Sequence, residues 1–149
     1  MAESPMFTWS DVWLLHSVAA AGGDGSGANL ADILAIGDMM NHALFTGAEL
    51  RRGLGKLSAA GFVAQRGTLF FVEAEAAAAW RRARGYRSIE KQRKELEALL
   101  KPAQYPAGEP GFEDPAWPYP SMTDARISAA EAEYRKRLSS SRQRKGPRK

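Results

Sequence analysis

The 149-residue chain contains no cysteine. That excludes disulfides, thiolate metal sites and cysteine nucleophiles, and it fits a reducing compartment. Histidine is almost as scarce. His16 and His42 are the only two, and they lie far apart, so neither has visible partners for a metal centre or a catalytic base. No apolar run approaches the roughly 18 residues needed to span a bilayer. The opening MAESPMFTWSDVW lacks the basic start and apolar stretch of a secretory signal. The expected location is the cytoplasm, with no membrane partner. No Ser/His/Asp set and no paired carboxylates stand out. The Gly22–Gly27 run follows a helical segment rather than a strand, and no Gly-Lys-Ser/Thr follows it, so it is not a phosphate cradle. The chain is therefore not expected to be an enzyme, and no cofactor or metal is expected.

Basic residues are missing altogether from residues 1–50, which hold six acids. Residues 51–101 reverse this, with twelve bases against five acids. Residues 102–134 are acidic again, and the last fifteen residues carry eight bases and no acid. The formal net charge of +4 thus conceals two basic zones, one inside the fold and one at its end. Each is a candidate polyanion surface.

Hydrophobic periodicity gives the elements. A first helix is expected from Thr8, with Asp11 three residues on and Val12, Leu15, Val18 and Ala19 on one face. A second begins near Asn29, carries Leu30, Ile33, Leu34 and Met40, and could kink or split at Gly37-Asp38. The third has the clearest start: Thr46-Gly47-Ala48-Glu49 is a capping box. Leu50, Leu54 and Leu57 follow at helical spacing, and Gly61 ends it. Phe62–Gln65 and Thr68–Val72 predict a β-hairpin turning at Arg66-Gly67. A fourth helix is expected over 73–84 and a fifth over 88–100, striped with Ile89, Leu96, Leu99 and Leu100. Six of the eight prolines fall in residues 102–120, which excludes helix and central strand there. Tyr105, Phe112, Trp117 and Tyr119 in that stretch mark it as a strap docked on the body. A sixth helix is expected from Thr123 or Asp124 to Leu138, with Ile127, Ala130, Tyr134 and Leu138 on one face. Residues 139–149, with no apolar side chain, are expected to be a disordered basic tail.

The stretch TGAELRRGLGKLSAAGFVAQRGTLFFVEAEAAAAW resembles the core of winged helix-turn-helix domains, in particular the MarR and PadR groups of bacterial regulators. The likeness centres on the junction Leu57-Ser58-Ala59-Ala60-Gly61-Phe62-Val63. It covers residues 8–85, leaving a flanking helix (86–101), the strap (102–122), a last helix (123–138) and the tail (139–149). The expected class is mainly α with a small β-hairpin. Two features depart from the pattern. The segment between the second and third helices, residues 35–45, is long and apolar, and the hairpin turn is minimal.

The resemblance implies DNA binding, with the third helix in the major groove and the hairpin as the wing. With the leucines inward, about 100° per residue points Ala48, Arg52, Gly55, Lys56 and Ala59 outward, with Arg51 at the flank. Arginine can read guanine and either basic residue can hold phosphate. Arg51, Arg52, Lys56 and Arg66 are thus the candidate DNA-binding residues, supplemented by Arg142, Arg144 and Lys145 of the tail. No Asn, Gln, Ser or Thr shares that outward face, so base readout would be limited. Gly53 lies near the core face, as close helix packing would require. The expected function is that of a transcription regulator or chromosome-associated factor bound to double-stranded DNA, with a possible homodimer through residues 88–100. The alternative is a winged-helix module that binds a protein partner and has no DNA role.

Overall fold

The computed structural model describes residues 5–22, 25–102 and 115–145, the last five of these by backbone alone. Six helices and one hairpin follow in the order α1 (Trp9–Gly22), α2 (Leu30–Asn41), α3 (Gly47–Ala59), β1 (Val63–Arg66), β2 (Leu69–Val72), α4 (Ala74–Ala83), α5 (Ile89–Leu100) and α6 (Asp124–Lys145). The fold is mainly helical with a small antiparallel hairpin, as the sequence indicates. Among the described residues no helix is long and apolar enough to cross a membrane.

α1 is the axis of the molecule. Every residue from Ser10 to Ala19 is buried, so it is enclosed on all sides rather than amphipathic. It packs against α2, α3, α5 and β2. Its start is fixed by Asp11, whose Oδ2 accepts from the Thr8 backbone N–H at 2.7 Å. α2 is capped by Asn29, which accepts from Asp32 N at 2.8 Å. It does not split at Gly37-Asp38 and continues to Asn41. Trp13 Nε1 donates to the Gly37 carbonyl at 3.0 Å, and the Trp13 ring stacks on Phe45. Residues 35–41 of the stretch expected as a long apolar link are thus part of α2, and the short link that remains sends Phe45 into the core.

The capping box of α3 forms as expected, with Thr46 and Glu49 exchanging side-chain and backbone bonds. In the hairpin Val63 pairs with Val72 and Arg66 with Leu69. The turn is therefore Gly67-Thr68, one residue later than expected. Ala28, between α1 and α2, adds a single-residue third rung by exchanging two 2.8 Å bonds with Phe70.

One hydrophobic core runs from Phe7 to Ala130 and includes Leu96 and Leu100 of α5, Met122, and Ile127 of α6. The stripe offered for dimerisation is thus largely spent within the chain: Leu96 and Leu100 are buried and Leu99 packs on the core, while Ile89 remains exposed. α6 packs on α2, where Tyr134 donates to Asp38 at 2.6 Å and Arg137 pairs with Asp32. It then continues seven residues past Leu138, to Lys145. The expectation of disorder is corrected for 139–145; residues 146–149 lie outside the described residues.

His16, buried in α1, meets Gln92 of α5 at 2.9 Å and lies beside the Trp80 ring. Burial, aided by the nearby Arg93 charge, holds its pKa below the usual 6.5 despite the Gln92 bond. A histidine kept neutral in the fold binds fewer protons there than in the unfolded chain, so stability rises with pH through that interval. It is fully present above about pH 6.5 and declines as pH falls from there towards the folded value. Thermal unfolding between pH 7 and 5 should show a smaller loss of Tm on acidification in His16→Gln than in the parent chain.

Candidate nucleic-acid interface

The four body cations predicted to form one outward face do not do so. Lys56 is 3 % exposed and Arg52 is 2 % exposed. Lys56 Nζ lies 2.5 Å from Asp11 Oδ2 and donates to the Met6 carbonyl at 3.1 Å. Arg52 Nη2 donates to Ser10 Oγ at 3.2 Å. These findings correct the outward placement of Arg52 and Lys56. Both point at the first turn of α1 and at the chain segment leading into it. That segment is locked over the end of α3 by Phe7, which stacks on Phe62.

The strap closes the adjoining side. The expected strap residues 103–114, including Tyr105 and Phe112, lie outside the described residues. Its last part, residues 115–122, crosses α3. A Cβ added at Gly55 would sit 2.1 Å from the Trp117 carbonyl oxygen, so the two backbones touch and only glycine fits. At Gly53 a Cβ would meet Leu14 of α1 at 2.5 Å, in line with the close helix packing expected of that position. Arg51 is turned to the strap's far end, donating to the Met122 carbonyl at 3.2 Å and pairing with Asp124 at 2.9 Å. Tyr119 anchors the strap by donating to Gln65 Oε1 at 2.7 Å. Burial raises the Tyr119 pKa above its usual value. Of the residues expected to face outward on α3, only Ala59 is exposed.

The remaining candidates are dispersed. Arg66, at the hairpin end, pairs with Glu73 and lies 4.7 Å over the Phe71 ring. Arg142, Arg144 and Lys145 fall in the last turns of α6; their side chains are outside the described residues. No three His, Asp or Glu side chains gather as metal ligands among the described residues.

The structure also brings together a group the sequence reading passed over. Arg81 and Arg84, at the end of α4, join Arg66 around a cavity of about 550 Å³ between the hairpin, α4 and the end of α1. Their signal was the spacing Ala77-Arg81-Arg84, which is one helix face.

Comparison with known protein families, with curated proteins and with solved structures finds no match.

Two substitutions test the closed α3. Gly55→Ala should force the strap off α3, raising hydrogen exchange in residues 115–122 and lowering the urea midpoint. Lys56→Ala should cost about 3–5 kcal/mol, because it leaves the Asp11 carboxylate buried without its partner; urea unfolding measures this.

Proposed function

We propose that the chain is a winged-helix domain that holds nucleic acid by its phosphates without reading base sequence, as an accessory chromosome-associated protein. The observation that carries this reading is the basic end of α6. From Arg135 to Lys145 the helix holds six bases and no acid, and residues 135–140 are all exposed. A helical arm of that charge displaces counterions from a duplex, an interaction set by salt and indifferent to sequence. The order of three helices, a capped third helix, a hairpin and a fourth helix supports the winged-helix part of the reading.

Major-groove reading by α3 is not part of the proposal. Its cations are engaged inside the chain, and a helix overlain by a strap cannot enter a groove. That same closure favours a second reading, the module that binds a protein partner and leaves DNA alone.

Fluorescence anisotropy separates the two. At about 50 mM salt the full chain should bind unrelated duplexes of about 20 base pairs equally, with a log–log salt slope of about −3 to −5. A chain ending at Leu138 should bind at least about tenfold more weakly. No binding by the full chain would leave the protein-partner reading. Sequence preference that survives the truncation would overturn both.

A further inference from the structure

The cavity beside the hairpin lies away from α3 and the arm of α6. Its apolar lining consists of Phe71, Val72 and Ala77, each partly exposed, with Trp80 at 7 % exposure; Phe70 and Val18 also border it but are buried. Its rim is cationic. Ala77, Arg81 and Arg84 stand at i, i+4 and i+7 on α4, so both guanidinium groups share the side that faces the cavity. Among the described residues neither is paired with a carboxylate. Arg82, one position away, instead meets Glu95 of α5 at 3.5 Å. Arg66 approaches from the hairpin and is held in place by Glu73 and the Phe71 ring. Glu73 is the acid among the described lining residues, and Arg66 already occupies it.

The start of α4 adds to this polarity. Glu73 occupies the N-cap position but makes no side-chain cap bond. The first turn therefore has no side-chain cap, although the Ala76 N–H donates to the Glu73 carbonyl at 3.1 Å, and it starts at the cavity that Glu73 and Ala74 line. Ala74 itself is left-handed at φ 52°, a conformation that is costly for a residue with a Cβ. The fold keeps this costly entry into α4 at the cavity's edge.

We propose that this cavity binds a small organic anion, with a planar apolar body against Trp80 and Val72 and its carboxylate or phosphate head between Arg81 and Arg84. The volume is within the range of small-molecule sites, in which an apolar lining carries a few convergent polar groups. Paired guanidinium groups are suited to a two-oxygen head, which each can grip through parallel donors. The apolar wall selects for a body that inorganic anions lack. This site is independent of the DNA reading and uses none of the arm's residues.

The probes are 2-naphthoate, its neutral counterpart 2-naphthamide, and inorganic phosphate, titrated into the full chain and followed by amide shift mapping. Naphthoate should bind and move resonances in residues 66–84. Naphthamide and phosphate should each bind at least about tenfold more weakly, having lost head or body. Arg81→Ala with Arg84→Ala removes two exposed side chains, so the fold should survive, as circular dichroism would verify; naphthoate affinity should fall at least about tenfold. Equal binding of the amide, unchanged affinity in the double variant, shifts confined to other surfaces, or no binding at millimolar naphthoate would each overturn the proposal. Arg135→Ala with Lys136→Ala should leave naphthoate binding unchanged while weakening DNA binding, which distinguishes failure of this site from failure of the phosphate-gripping arm.

Discussion

The contact between Lys56 and Asp11 decides how this molecule is put together. Two opposite charges are taken out of water at the crossing of α1 and α3, and neither is tolerable there alone. The pair is held on both sides, by the Met6 carbonyl on the ammonium and the Thr8 backbone N–H on the carboxylate. It therefore fixes three things together: the rotation of α3 about its own axis, the start of α1, and the course of the segment before it. A helix rotated to bring Lys56 into solvent would strand Asp11 in the core. The cationic side of α3 has a structural duty before it can have any other.

Much of the local structure is legible in the residues. The Thr46–Glu49 box, the leucines at 50, 54 and 57, and the Asn29 cap each act within one or two helical turns, where spacing alone determines the partners. The direction in which Arg52 and Lys56 point was not legible. Their partners, Ser10 and Asp11, lie more than forty residues earlier. Helical periodicity divides a helix into an apolar and a polar side but does not say that the polar side will be covered. The cover is also hard to anticipate, because a proline-rich segment has no period and Trp117 meets Gly55 of α3 through its backbone carbonyl. Gly55 was the visible trace of that contact: a glycine in a helix interior costs about 1 kcal/mol against alanine, and here it admits another strand of chain.

The far end of α6 is the opposite case. Residues 139–145 offer no apolar side chain, so composition alone points to disorder there. Arginine, lysine and glutamine are nonetheless good helix formers, and cations near a helix C-terminus oppose its dipole favourably. The helix seated on α2 through Tyr134 and Arg137 thus runs on to Lys145.

The meeting of the strap with α3 through main-chain atoms has a consequence for descent. A carbonyl is common to every amino acid, so the residue at 117 can drift without disturbing this junction, whereas position 55 has no freedom. Among relatives of this chain, glycine at 55 should be inherited together with the strap, and lineages that have shed the strap should show larger side chains there. The two would then serve as a paired character, telling domains that keep this helix sealed from those that have opened it.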